Sequence, residues 1–119
     1  MVTDAEHLAQ FQHNVSVAEQ LAASGNYGWA VTVLFYAGLH ILQAYLVRSG
    51  ALVESHVQRE RQMLRSELLP ILDPYTTLRN DSEEARYECR RFSREEFESI
   101  RNGSFTSVTT HLRSLLGVS

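Results

Sequence analysis

Four polar side chains, Thr32, Tyr36, His40 and Gln43, recur three to four residues apart inside a run from Tyr27 to Val47 that carries no charge. At helical spacing they share one face, and Val33, Leu34, Ile41, Leu42 and Tyr45 clothe the remainder in apolar surface. A helix apolar on nearly every side belongs in a core, where an unpaired hydrogen-bonding group costs about 1–3 kcal/mol. The stripe must therefore find partners elsewhere in the fold, in a second subunit or in a ligand.

Two further groups could join it. His56 and Arg59 lie three residues apart at the start of a later helix. The positive end of that helix disfavours a protonated imidazole at His56, leaving a neutral base or acceptor, and Arg59 offers a fork for phosphate or carboxylate. Arg86 and Tyr87 close another helix, where a cation complements the helix dipole and a tyrosine can pack its ring while its hydroxyl reaches a partner. Tyr36, His40, His56, Arg59, Arg86 and Tyr87 thus form the candidate binding pocket, with His56, His40 and Arg59 the candidates for any catalysis. The competing readings are structural: His40 as a satisfied core histidine, Arg59 paired with Glu60 or Glu54 at the surface, and Arg86 and Tyr87 as packing groups. No metal site is expected, because His7 and His13 are six apart and fall on different helix faces. There is no phosphate loop or nucleophile elbow, and no cofactor is expected.

Punctuation divides the chain into five helices. Thr3 to Glu6 is a capping box opening a first helix with the stripe Ala5, Leu8, Phe11, Val15, Ala18 and Leu21, closed by Gly25. Asn26 is placed to cap the second helix, which runs to about Ser49 before Gly50. Ser55 to Gln58 reads as another capping box, opening a third helix along Val57, Leu64, Leu68 and Leu69 that Pro70 ends or kinks. Asp73-Pro74 supplies an N-cap and a first-turn proline for a fourth helix along Tyr75, Leu78, Ser82, Ala85 and Cys89. Ser93 to Glu96 is a third box, opening a last helix with Phe97, Ile100, Val108, Leu112 and Leu115 inward and Gly117 beyond its end. Asn102-Gly103 is expected to bend or split that helix. No stretch sustains strand alternation, so the expected fold is all-α, a single-domain bundle of about five helices around a four-helix up-and-down core, spanning 1–119.

Composition narrows the setting. A chain of 119 residues can bury about 65% of its unfolded surface, enough for one core. The lone Cys89 excludes an internal disulfide, suits a reducing compartment and reads as small core filler. Asp4 and Glu6 stand where a secretory signal needs positive charge, so the expectation is cytoplasmic. The Tyr27 to Val47 run is long enough to cross a bilayer, but its polar stripe, Gly28 and Gly38 favour a core helix, and no membrane partner is expected. All 11 basic side chains are arginine, yet the net charge is −3, so any contact with nucleic acid must be local. The charges from Arg79 to Arg101 nearly balance and read as an ion-paired face.

Three blocks carry a family resemblance: Trp29 to His40 with Ala44-Tyr45-Leu46, then Ser55 to Arg59, then Tyr75 to Leu78 running to Ser82 through Tyr87. In these the chain resembles the HEPN superfamily of small helical bundles, found in prokaryotic toxin, antitoxin and defence systems and in nucleotide-handling contexts. The resemblance implies a homodimer and a nucleotide, RNA or protein partner. Catalytic members are metal-independent endoribonucleases marked by an arginine and a histidine with four to six residues between them. Here Arg79-Asn80 has the look of that motif's opening, but Glu84, Ala85 and Arg86 occupy the permitted histidine places. A binding or interaction module is therefore the leading expectation. The alternatives are a divergent endoribonuclease using His56 or His40, and a purely structural partner of another protein.

Overall fold

The computed structural model describes residues 1–118 and, among them, contains helices and no strand. Its elements are α1 (Asp4–Ala23), α2 (Tyr27–Arg48), α3 (His56–Gln62), a short 3₁₀ turn (Leu69–Ile71), α4 (Leu72–Tyr87), α5 (Arg94–Ile100), a π-helical turn (Arg101–Phe105) and α6 (Thr106–Leu116). Because α5, the π turn and α6 follow one another without a break, the chain makes five helical rods. It is a single-domain all-α bundle. The Asn102-Gly103 interruption appears as the π turn within the last rod.

α2 is the axis of the bundle. Twelve of its residues are buried, among them Val31, Leu34, Phe35, Ile41, Leu42 and Leu46, and α1, α4, α5 and α6 all pack on it. Among the described residues it is the one helix long and apolar enough to cross a bilayer, and 67% of its most apolar stretch is buried inside the fold. The close α2–α4 seam depends on Gly38, where an added Cβ would stand 3.2 Å from Leu78 Cδ2.

The capping signals hold at two starts. Thr3 and Ser93 each make the full reciprocal box with Glu6 and Glu96. Gly25, Gly50 and Gly117 follow their helices with positive φ, as the left-handed ends require. Three local expectations are corrected. Ser55 accepts from the Gln58 N–H, but Gln58 Oε1 accepts from Glu54 rather than closing the box. Asn26 makes no cap bond; its side-chain amide donates to Ser24 Oγ. α4 starts at Leu72, one residue before Asp73, with no side-chain cap, so the 3₁₀ turn replaces a polar cap.

The third helix departs most from its pattern. α3 ends at Gln62, and of the expected stripe Leu68 is buried while Val57, Leu64 and Leu69 are exposed, with Arg59 and Met63 facing inward instead. In a helix of 7 residues the inward face is chosen by what lies beneath it, and here the polar stripe of α2 lies beneath. Cys89 is exposed just past α4 with φ 55°, so it is not core filler, and Leu116 takes the inward place expected of Leu115.

Gly38→Val should destabilise the protein by about 1–3 kcal/mol through overpacking against Leu78. Gly103→Ala, which meets nothing within 4 Å, should be neutral or stabilising by up to about 1 kcal/mol. Urea denaturation of the two variants side by side checks both signs.

Candidate functional site

The polar stripe of α2 finds its partners along the faces turned to α1, α3 and α4. Thr32 is buried and donates to the carbonyl of Gly28 within its own helix. Gln43, also buried, accepts from Arg59 Nη1 at 3.1 Å. His40 Nδ1 lies 3.0 Å from His7 Nδ1, and Tyr36 accepts from Arg86 Nη1 at 2.8 Å. Three clusters follow, one for each turn of the stripe.

The first joins His7 of α1 to His40. Two Nδ1 atoms at this distance share one proton, so one ring donates and the other accepts, and the accepting ring must be neutral. Burial lowers the pKa of each below the ordinary 6.5; for His40 the charges of His7 and Arg59 add to this, while for His7 Glu6 opposes it and Arg59 adds to it. Sequence reasoning missed His7 as a member of the site. Its signal was present, since His7 sits between Asp4 and Leu8 on a helix joined tightly to α2, but pairing needs the antiparallel register of α1 against α2.

In the second cluster Arg59 is buried, 8% exposed, and its hydrogen bonds go to Gln43 and to His56 Nδ1, at 3.3 Å. The surface pairing with Glu60 or Glu54 does not form. Glu60 bonds instead to Arg79, which also holds Glu83. Arginine can only donate, so His56 Nδ1 accepts, and a neutral His56 then carries its proton on Nε2. His56 therefore offers solvent an N–H donor while this contact stands. Burial lowers its pKa first, then Arg59, Arg79 and Arg86, with Glu83 opposing. Tyr75, a core residue in the sequence pattern, belongs here too. Its hydroxyl and Arg59 Nε are buried with no well-aligned hydrogen bond, and burial pushes the phenol up to about 12 against the pull of the nearby Arg59 charge and its N–H groups.

The third cluster centres on Arg86. Its Nε and Nη2 bond to the carbonyl and hydroxyl of Ser82, and its Nη1 bonds to Tyr36 and Tyr87. The guanidinium also lies over the Tyr36 and Tyr87 rings, 5.4 and 4.9 Å from their centroids. Every one of these partners is neutral. The balanced run around it is otherwise ion-paired as expected: Arg79, Arg90, Arg94 and Arg101 all have carboxylate partners, and Arg86 and Arg91 have none among the described residues.

The six candidate residues are thus brought to one side of α2 but not into one cavity. Arg86 lines a cleft of about 270 Å³ with Trp29, and His40 lines a separate open depression with His7 and His13. No group of three or more His, Cys, Asp or Glu is placed to hold a metal among the described residues. Comparison with protein-family models gives no match, nor does comparison with curated proteins.

Because both rings of the His7–His40 pair hold protons less tightly folded than unfolded, the unfolded chain takes up more protons below pH 6.5. Their contribution to stability is complete above about pH 6.5 and is lost as pH falls through the lowered folded values. Glu6 and Arg59 are the charges that face the pair. Chemical denaturation between pH 7.5 and 5 should show this loss, and a His7→Phe, His40→Leu double variant should reduce it to the part that His56 contributes. Tyr75→Phe, which removes an unpartnered buried hydroxyl, should be neutral or stabilising in the same assay.

Proposed function

We propose that this protein is a homodimeric, HEPN-like binding module that takes a phosphate-bearing ligand, a nucleotide or RNA, on the α2–α3–α4 face. The observation that carries this reading is the state of Arg86, a half-buried guanidinium held by four hydrogen bonds to Ser82, Tyr36 and Tyr87, lying over both tyrosine rings, and paired with no carboxylate. A cation fixed in place with its charge unspent is preorganised for an anion. Arg59, buried and likewise bonded only to neutral groups, adds positive potential beneath, and the His56 N–H adds a donor at the rim. This local field exists although the chain as a whole carries −3.

The same tautomer argument weighs against a nuclease that uses His56 as general base, since Arg59 occupies the nitrogen whose lone pair is free. A binding role needs only the donor. The homodimer rests on α3, since α2 beyond its first turn has most of its apolar surface covered within the chain. Val57 and Leu64, 60% and 62% exposed, line an apolar depression with Leu72 and Thr76, between Glu60, Arg61 and Asp73. A mixed-charge rim around an apolar centre suits a self-complementary contact between two copies. Such a module would work in the cytoplasm, within a toxin, antitoxin, defence or nucleotide-handling system.

Fluorescence anisotropy with a labelled single-stranded RNA in chelator should show saturable binding that weakens with salt and leaves the RNA intact. Arg86→Gln should reduce affinity about tenfold or more while leaving the fold unchanged; unaltered binding by this variant would refute the reading, and RNA cleavage would favour the nuclease. Light scattering after size exclusion should give twice the chain mass, and Leu64→Asp should give a monomer.

A further inference from the structure

The tryptophan of this chain is left in water. Trp29 is 63% exposed at the first turn of α2, although indole is one of the side chains a fold buries most readily. It stands one turn before Thr32 and so extends the line of Thr32, Tyr36, His40 and Gln43. Beside it the cleft of about 270 Å³ runs between this turn and the end of α4 with the loop that follows, lined also by Thr32, Arg86, Arg90, Arg91 and Phe92.

The three arginines in the wall differ in how far neighbouring carboxylates offset their charge. Arg90 is spent, since Asp81, Glu84 and Glu96 all bond to it and its guanidinium caps the Phe92 ring at 4.1 Å. Arg86 faces neutral partners only, and the exposed Arg91 has no ion pair among the described residues. The cleft therefore offers an unburied indole and two uncompensated guanidinium groups, without a carboxylate in its lining. Aliphatic and cationic ligands gain nothing from that combination. A planar heterocycle bearing a phosphate gains from both halves, through stacking on the indole and charge-assisted bonds to arginine. The volume is on the scale of one such unit.

We propose that the Trp29 cleft is a nucleobase site, in which the base of one nucleotide stacks on Trp29 while its phosphate is held by Arg86 and Arg91. This deepens the reading of Arg86 as an anion anchor and rests on it. The same chemistry is presented by a free mononucleotide and by an unpaired residue in an RNA strand.

Trp29 is the only tryptophan, so the fluorescence of the full chain reads the cleft directly. The probes are adenosine and uridine 5′-monophosphate and a fluorescein-labelled ten-nucleotide single-stranded RNA, whose anisotropy is recorded in parallel. Saturable quenching by the mononucleotides supports the site and makes the free nucleotide its ligand; quenching by the RNA alone supports it and makes the ligand a residue within a strand. Trp29→Ala should weaken RNA binding about tenfold by anisotropy, Trp29→Phe should largely restore it, and Arg91→Gln should weaken it several-fold and lower its salt dependence. Because both side chains are exposed, these variants should keep the helical circular dichroism of the parent. RNA binding without quenching, and undiminished in Trp29→Ala, would overturn the base site while leaving the Arg86 anion site standing. Absence of binding by every probe would overturn both.

Discussion

Everything in this bundle answers to the burial of α2. A helix of 22 residues with no charge before Arg48 has to be covered on nearly all sides, and the other helices pack around it to do so. Each fully buried Leu, Ile or Phe contributes about 1.5–3 kcal/mol by leaving water. The cost is the polar stripe, because Thr32, Tyr36, His40 and Gln43 enter the interior or its edge with hydrogen-bonding groups that need partners. Three helices supply one each: His7 from α1, Arg59 from α3 and Arg86 from α4.

The choice of partners gives the face its electrical character. Two of the three are arginines, and they meet a glutamine, a histidine, a serine and two tyrosines rather than acids. Most of the carboxylates are committed elsewhere, with Glu60 and Glu83 on Arg79 and with Asp81, Glu84 and Glu96 on Arg90. An acidic chain thereby keeps a cationic, aromatic strip along α2 and α4. Burial first, and then that field, makes His40 and His56 hold protons weakly, which keeps the strip's hydrogen-bond pattern intact at neutral pH.

The helices themselves were legible because their signals are local. A capping box such as Thr3–Glu6 or Ser93–Glu96 and a terminal glycine such as Gly25 or Gly117 act within four residues of chain, so spacing alone reveals them. Legibility fails where the local signal is short. Over the 7 residues of α3 the apolar Val57 and the charged Arg59 compete for the inward place, and helix periodicity favours neither strongly. Arg59 prevails because Gln43 lies beneath it, whereas an apolar side chain there would leave that buried amide unpaired.

Type and spacing by themselves determined the all-α class, the central position of the charge-free helix and the identity of its polar stripe, since these depend on periodicity and on the cost of burying polar groups. Tertiary structure alone decided who answers that stripe. His7 is 33 residues from His40, and Arg86 is 50 from Tyr36, so their contacts follow from the crossing of α1 and α4 over α2 rather than from any neighbour in sequence. It also decided which arginines keep their charge uncompensated by a carboxylate. Arg86 and Arg90 are chemically alike and four residues apart, but one turn of helix and a loop place Arg90 among three carboxylates and Arg86 between two tyrosine rings.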